Sequence, residues 1–272
     1  MTRLLFQSKY HSSILIFITL ILASCEKVIE VPINEEEQSY VLEGVLKDRD
    51  SASFFKVSKT KATYDNNGFE VVSSAVIKVG DNNGVEYVFE EDPQMPGTYV
   101  NYNFVAEENQ TYYLSAIIGG ELITSSSYSK TKPVIDSLGY QVVSYGQGAQ
   151  QESFLLPEYY SKDPVDEQNN YRLRIWVNGE EENEYYIGND YYINGQVYDA
   201  QFFGADAEFG DTIFVEMLEM DEKVYDYIYG LSNTLSTGAF SPSPANPPSN
   251  LEGNAIGYFA VFMTDTMSMI IQ

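Results

Sequence analysis

The sequence predicts a mostly β fold, in which an immunoglobulin-like or transthyretin-like β-sandwich is followed by a second β-rich domain with one helix. Short runs rich in β-branched and aromatic residues alternate in hydrophobicity from Tyr40 onwards, as half-buried strands do. Turn-forming residues separate these runs, notably at residues 81–84 and at Gly119 and Gly120, because glycine and asparagine tolerate the positive φ of hairpin turns. Short strands at this regular spacing favour a sandwich.

The first domain is predicted over residues 39–132. Its alternating runs predict strands at residues 40–46, 54–60, 75–79, 85–90, 98–104, 111–118 and 121–126. Pro133 follows the last of these strands and marks a junction, because proline interrupts a regular sheet. We therefore expect the second domain to cover residues 133–272.

The second domain combines strands with the one predicted helix. Its alternating runs predict strands at residues 137–145, 171–177, 185–187, 191–193, 197–203, 212–218, 255–264 and 267–271. In the strand at 171–177, Leu173, Ile175 and Val177 fall on one face. A helix is predicted over residues 221–236, because apolar residues recur there every three or four positions and acidic residues stand at its beginning.

The N-terminal stretch predicts an export signal with a lipid-acceptor cysteine. Residues 14–23 form an unbroken apolar run that is shorter than the roughly 20 residues of a membrane-spanning helix. The sequence Leu22-Ala23-Ser24-Cys25 resembles a bacterial lipobox, which implies removal of residues 1–24 and a lipid on Cys25. An uncleaved anchor or an ordinary cleaved signal is the alternative. Residues 25–38, acidic and containing a proline, are predicted to form an extended tether.

Composition excludes several classes of function. The chain has one histidine and one cysteine, and the predicted processing removes His11 and lipidates Cys25. Catalysis by Ser-His-Asp or Cys-His groups and zinc sites with histidine ligands are therefore excluded in the mature protein, and we expect no cofactor and no enzyme activity. A formal net charge of −25 repels phosphates, so we expect no nucleic-acid binding. Residues 65–68 and 81–84 could be calcium loops, but turns are favoured over a metal site.

Two sets of residues are candidates for contacts or modification. Tyr185, Tyr186, Tyr191 and Tyr192 form a dense aromatic stretch that suits protein or sugar recognition, although tyrosines that simply line strands would give the same pattern. Triplets of aspartate, serine or threonine, and an apolar residue resemble the O-glycosylation motif of Bacteroidetes. Their hydroxyl residues are Ser51, Ser137, Thr212 and Thr266. Ordinary strand starts can also account for these triplets.

The order of several short motifs resembles one known family. The motifs are the lipobox Cys25 and residues 40–44, 75–79, 97–99, 111–114, 133–136 and 250–259, together with the tyrosine-rich helix. Their shared order resembles the Bacteroidetes lipoprotein family described as domain of unknown function 4249. The resemblance implies an outer-membrane accessory lipoprotein of a TonB-dependent nutrient or siderophore uptake system. It carries over no catalytic or binding residue, and for the C-terminal motif it favours a structural role.

Three functional hypotheses remain open from the sequence. The leading one is a non-catalytic interaction module that is attached to the outer membrane at the cell surface through Cys25 and sits beside a TonB-dependent receptor, with a glycan or another nutrient as a possible ligand. The second is a glycosidase that uses two carboxylates, for which no local motif points to a pair. The third is a structural or adhesive surface lipoprotein.

Overall fold

A computed structural model describes residues 38–50, 52–61, 68–146, 152–165, 167–235 and 246–272. Within these ranges the protein is mostly β, with several sheets and one helix, which confirms the predicted fold class. The predicted signal peptide, Cys25 and nearly all of the tether lie outside the described residues. Residues 37–272 form one compact unit.

The first half of the described chain contains seven strands. Their bounds are β1 (Tyr40–Lys47), β2 (Phe54–Lys59), β3 (Val76–Asp81), β4 (Glu86–Glu91), β5 (Thr98–Val100), β6 (Gln110–Ile118) and β7 (Glu121–Ser129). Along β6 buried and exposed residues alternate, as the sequence pattern predicts. The predicted turns are present, with Gly84 at φ +83°, Gly119 at +61° and Gly120 at +88°.

The second half contains eight strands and the helix. The bounds are β8 (Ile135–Tyr145), β9 (Glu152–Lys162), β10 (Asn170–Val177), β11 (Glu180–Glu181), β12 (Tyr186–Asn189), β13 (Val197–Gln201), β14 (Thr212–Met220), α1 (Glu222–Leu235) and β15 (Ala255–Ile270). The helix agrees with the predicted range of 221–236. Asp221 caps it, because the Val224 N–H donates to Asp221 Oδ1 at 3.0 Å.

One long sheet connects both halves of the chain through β15. The strand order is β11-β10-β14-β15-β1-β2-β5-β4-β3-β6-β7. β12 pairs with the beginning of β10, whereas β11 pairs with its end. β15 runs antiparallel to β14 and parallel to β1, with Gly257 opposite Leu42. A Cβ atom on Gly257 would lie 2.1 Å from the Leu42 carbonyl oxygen, and Gly257 has φ +118°. Only glycine fits at this close approach of two backbones.

The first core is enclosed because the sheet curls back on itself. β7, at the end of the strand order, returns to β15, where the Val261 N–H donates to Ser127 Oγ at 3.1 Å. Inside lie Leu42, Phe55 and Leu114, and Phe259 of β15 stacks on Phe55. This region is the sandwich-like part of the fold, and the distant β15 supplies part of its core.

Two further clusters fill the second half of the chain. One lies between β10, β14, the end of β15 and a three-stranded sheet of order β13-β9-β8, and it includes Ile175 and Phe202. The other packs Val224 and Ile228 of α1 against Val45 and Phe262. The apolar face predicted for residues 171–177 is confirmed, since Leu173 and Ile175 are buried in the first of these clusters.

In the second half, one predicted strand is absent, two predicted strands form a single one, and one strand was not predicted. Residues 191–193 form turns instead of a strand, because the Ile193 N–H donates to the Asp190 carbonyl. The two runs at 255–264 and 267–271 are one continuous strand. β9 was not predicted, and it contains Pro157, which has no N–H to donate. The pairing of β13 with β9 ends at Glu158, next to Pro157, so the sheet tolerates the missing donor there.

The boundary predicted between residues 132 and 133 stays a prediction. The separate cores on either side of it are those expected for two β-rich regions. The long sheet, however, runs from β7 to β11 without interruption. Any independence of the two regions is therefore limited by β15, which belongs to both.

Candidate functional site

A cavity of about 560 Å³ lies between helix α1 and one face of the long sheet. Its floor is apolar and comes from Val45, Leu218 and Phe262, on β1, β14 and β15, while Ile228 packs from the helix side. The three strands are neighbours here because β15 pairs with β1 on one side and with β14 on the other. The cavity therefore lies where both halves of the chain meet.

Basic side chains line this cavity, although the chain is strongly acidic overall. Lys47, Lys56, Arg172 and Arg174 contribute to the lining, and Glu43 is the one carboxylate residue among the lining residues. The formal net charge of the whole chain is −25. A local excess of positive charge inside a cleft attracts anions, because low-dielectric walls concentrate its field.

Arg172 is a cation without an ion pair in the described part of the chain. It lies on β10, and its guanidinium carbon is 4.9 Å from the centre of the Tyr185 ring, over which it stacks. Its Nε atom is buried and has no hydrogen-bond acceptor. Buried donors in folded proteins almost always have acceptors. Arg172 is therefore a lining cation whose Nε has no acceptor in the described part of the chain.

Glu216 holds two other lining cations in place. Its carboxylate contacts Lys47 Nζ at 2.8 Å and Arg174 Nη1 at 3.0 Å, and Arg49 Nη2 lies 3.3 Å away. Burial raises the pKa of Glu216, but these three cations outweigh burial and the net pKa lies below its usual value. Lys47 has this one carboxylate partner, so burial dominates there and lowers the Lys47 pKa.

Tyrosines form one wall of the cavity. The rings of Tyr227 and Tyr258 pack with centres 4.8 Å apart, and the Tyr258 hydroxyl donates to Glu43 Oε1 at 3.1 Å. Burial, followed by the nearby Glu43 carboxylate, raises the pKa of Tyr258, so it stays a neutral hydrogen-bond donor. The wall thus offers flat apolar area beside the free guanidinium.

The four predicted contact tyrosines do not form one surface. Tyr185 lines the cavity, and Tyr186 is half-buried, its ring packed against Phe202 with centres 5.0 Å apart. Tyr191 and Tyr192 lie on the turn after β12, where they are 66% and 87% exposed and contact each other edge to face. The pair Tyr191 and Tyr192 is therefore the accessible part of the predicted surface.

A second depression, of about 490 Å³, is lined mainly by aromatic side chains between β12 and β13. It includes Tyr159, Tyr171 and Tyr198 together with the predicted Tyr185 and Tyr186. Burial is the main cause that raises the pKa of Tyr198 to about 12. Tyr185 lines both this depression and the cavity beside helix α1, so the two are neighbours.

A third, open depression of about 1150 Å³ is acidic. Glu180, Glu182, Asp206, Glu208 and Asp211 contribute to its lining. Hydrogen bonds from the Asn178 amide and from the Glu208 N–H lower the pKa of Asp211. Asp211 is therefore an ionised turn-forming residue and not a proton donor near neutral pH.

The predicted modification sites that the structure describes are not lining residues of these depressions, although Thr212 directly follows Asp211 of the acidic one. Ser137 and Thr212 are exposed residues of β8 and β14, and Thr266 is half-buried on β15. All three take part in strand pairing. Ser51, like Cys25, lies outside the described residues.

The C-terminal motif of the sequence analysis has a structural explanation. The Asn250 amide binds the backbone of Phe259 in both directions, with Nδ2 donating to the carbonyl at 2.7 Å and Oδ1 accepting from the N–H at 2.9 Å. Gly253 has φ +116°, and a Cβ there would lie 2.7 Å from the Leu122 carbonyl oxygen. These residues hold β15 in register. Tyr258, from the same motif, also lines the cavity.

The sequence analysis missed Arg172 and Arg174 as site residues. They occupy the polar face of a strand whose other face is apolar, and such a face usually points to water. A signal was available, because two arginines on one strand face are unusual in so acidic a chain. The decisive fact, that helix α1 covers this face, needed the tertiary structure.

Comparisons with known proteins give a family without an assigned activity. A family model described as a domain of unknown function (DUF4249) matches residues 26–268. No curated protein matches the chain. Among the described residues, no helix is both long and apolar enough to cross a bilayer. The family match therefore assigns no activity to the cavity or to either of the two depressions.

Proposed function

This chain belongs to the DUF4249 family, and from that premise we propose that it is a non-catalytic binding module for small anionic molecules that also carry a ring or an apolar part. The observation that carries the proposal is the Arg172 guanidinium, which is buried at Nε and has no partner in the described chain. The cavity beside it measures about 560 Å³, within the range of about 300–1,000 Å³ of small-molecule sites.

The lining matches the two parts of such a ligand. The anionic group would pair with Arg172, which offers several N–H donors in a planar fork and stays charged at any physiological pH. The ring would lie along Tyr227 and Tyr258 above the apolar floor. Lys56, which also has no ion pair in the described ranges, adds a second positive charge at the cavity.

The test compares a charged fluorescent probe with a neutral one. Anilinonaphthalene sulfonate carries an anion and aromatic rings, whereas phenylnaphthylamine has similar rings without the charge. We expect Arg172→Gln to weaken sulfonate binding about tenfold or more, since a hydrogen bond to a charged group contributes about 1.5–3 kcal/mol. Binding of the neutral probe should change little. Fluorescence titration measures both.

Lys223→Gln is the matched control, because Lys223 is an exposed cation on helix α1, which covers the cavity, but does not itself line the cavity. It should leave the affinity for the sulfonate unchanged. An equal loss of sulfonate affinity in both variants would show that the effect arises from net charge alone. Unchanged affinity in the Arg172 variant would refute the proposed site.

The cellular setting of this module is also a proposal. A lipid on Cys25 would hold the protein at the outer membrane, and the binding module would serve a TonB-dependent receptor. A tag after Gln272, an exposed residue, allows capture from outer membranes in mild detergent. We expect a receptor barrel in near-equal amount. Recovery of the membrane-bound protein alone would remove the receptor from the proposal.

The acidic depression carries one alternative function. A carboxylate-based glycosidase needs one ionised and one protonated carboxyl group on opposite sides of a sugar bond. The depression lined by Glu180, Glu182 and Asp206 supplies carboxylates. Hydrolysis of nitrophenyl glycosides, lost in a Glu182→Gln variant, would favour this alternative over the binding module.

A further inference from the structure

Two loops of the second half meet at a buried polar cluster that the proposed function does not use. One loop follows β9 and includes Asp163 and Asn169, and the other follows β12 and includes Asp190 and Gly195. Backbone bonds join them, since the Asp190 N–H donates to the Asn169 carbonyl at 3.2 Å. The Gly195 N–H donates to Asp163 Oδ2 at 2.9 Å. The loops therefore hold these side chains in a defined arrangement.

Polar atoms in this cluster lack partners. Asp190 is 0% exposed, and neither of its carboxylate oxygens has a hydrogen-bond donor. Asn169 is also 0% exposed, and its Oδ1 and Nδ2 have no partner with hydrogen-bond geometry, although its side chain is near enough to Glu219 to act on the pKa of that carboxyl against the effect of burial. Fully buried polar groups are rarely left unsatisfied in native proteins, so a group missing from the chain itself is indicated.

The charges of the cluster are unbalanced as well. Asp163, Asp190 and Glu219 are at most 1% exposed. Lys130, with Nζ 3.6 Å from Glu219 Oε1, is the cation paired with them. Burial raises the pKa of Glu219 to about 8, so at neutral pH Glu219 is largely protonated and the negative charge of the cluster lies on Asp163 and Asp190. Burying unpaired charge is costly, so protonation or a bound cation must offset it.

We propose that a Ca²⁺ ion binds between the carboxylates of Asp163 and Asp190 and the side-chain oxygen of Asn169. All three ligands are hard oxygen donors, which calcium prefers, and its flexible coordination accepts main-chain carbonyls or water at the remaining positions. The Tyr171 hydroxyl donates to Asp163 Oδ1 at 2.8 Å and so orients that carboxylate. A divalent ion would balance the charges of the two aspartates.

The third ligand has to be the asparagine. In the described ranges no three histidine, cysteine, aspartate or glutamate side chains converge closely enough to hold a metal. From the sequence, residues 81–84 could be a calcium loop, but a turn is favoured. There, Asp81 Oδ1 accepts N–H bonds from Asn83 and Val85, both at 2.9 Å, and serves the turn.

A shared proton is the competing explanation. Burial and contact with the Asp163 carboxyl raise the pKa of Asp190, which would let the pair hold one proton in place of an ion. The two explanations differ in a measurable way. A calcium site gains stability from added ion, whereas a proton-sharing pair does not respond to calcium.

The test measures thermal unfolding of the purified protein after chelation, with and without CaCl₂. At one hundred times the dissociation constant, calcium should raise the Tm by about 5–10 °C. Asp190→Asn keeps the shape of the side chain and removes its charge, and it should abolish the shift. Glu180→Gln, which changes an exposed carboxylate of the acidic depression, should retain the full shift.

Terbium luminescence provides a second readout that needs no variant. Tb³⁺ replaces Ca²⁺ at oxygen sites and is excited through nearby tyrosines, here Tyr171 beside Asp163. We expect luminescence on excitation of tyrosine that Ca²⁺ removes by competition. No Tm shift and no displaceable luminescence would overturn the proposal, as would a shift produced by Mg²⁺ alone. Loss of the shift in Glu180→Gln would assign the binding to the acidic surface.

Discussion

At the scale of single residues, burial decides how much an ion pair contributes. The side chain of Glu216 is 7% exposed and contacts three cations, whereas Lys78 and Glu86 form an equally short pair, at 2.8 Å, in which both side chains are largely exposed. Water and salt screen the second pair but not the first. The two pairs therefore have the same geometry and different energetic consequences.

We expect Glu216→Gln to lower the free energy of unfolding at pH 7 by about 3–5 kcal/mol, because it leaves Lys47 buried without its carboxylate partner, whereas Arg174 keeps Glu181. Glu86→Gln should cost less than about 1 kcal/mol. Urea unfolding of both variants measures the difference. Equal costs would contradict the role of burial.

The same residue predicts a pH dependence. The folded-state pKa of Glu216 lies below its usual value of 4.5, so its contribution is complete above about pH 4.5 and is lost as the pH falls through the folded-state pKa. Unfolding free energies measured from pH 7 down to pH 3 should therefore converge for the wild type and Glu216→Gln. Parallel curves would show that Glu216 does not titrate differently on folding.

Individual site residues were only partly predictable from the sequence. The tyrosines were found because their density is visible along the chain, but their separation into a cavity wall and an exposed pair was not. The roles of Arg172 and Asp190 depend on neighbours from other elements. Helix α1 lies over the cavity that Arg172 lines, and the loop after β9 bonds to Asp190. Such contacts join residues that are far apart in sequence, so no local pattern predicts them.

At the scale of elements, hydrophobic periodicity predicted the strand and the helix that bury one face. It failed where a proline or a turn interrupts the expected pattern. The alternation of β6 and the periodicity of α1 were sufficient to predict both. β9 was missed, because Pro157 argues against an inner strand unless its neighbour ends at that point. Residues 191–193 have strand propensity, but the bonds of the Asp190 turn override it.

The helix cap gives a prediction at this scale. Asp221 Oδ1 accepts from the Val224 N–H, while Oδ2 accepts from the Ser127 hydroxyl at 2.5 Å and the Tyr128 N–H at 3.1 Å. Asp221→Ala should cost about 2 kcal/mol or more, because the cap and a partner of β7 are lost together.

Glu222→Ala is its control, since Glu222 is exposed in the first turn and interacts only with the helix dipole. It should cost less than about 1 kcal/mol. Chemical unfolding curves of the two variants provide the comparison. A cost for Asp221→Ala no larger than that of the control would show that the contact with β7 contributes nothing.

At the scale of the whole molecule, β15 determines how independent the two β-rich regions are. It supplies Phe259, Val261 and Met263 to the first core and Ile271 follows it into the second. It also covers the edge of β1 along the register from Tyr40 to Lys47. The division into two regions stays a prediction, because a shared strand leaves no trace in local sequence patterns.

A fragment of residues 39–132 should therefore fail to fold by itself. It lacks three core side chains and exposes the edge of β1, where unpaired backbone groups favour aggregation. We expect flat near-ultraviolet circular dichroism and poorly dispersed NMR spectra. The same fragment joined to residues 249–264 through a flexible linker should recover ordered signals. A folded, monomeric fragment without β15 would establish the predicted boundary as a true domain boundary.

The parallel pairing of β1 with β15 also sets the timing of folding during synthesis. Tyr40 meets Ala255 only after the ribosome has added all the residues between them, and contacts of such long sequence separation form slowly. Until then β1 has an open edge and the first core lacks its last wall. We therefore expect the nascent chain to need protection of this open edge until β15 is made, and we expect products truncated before β15 to stay unfolded and open to proteases.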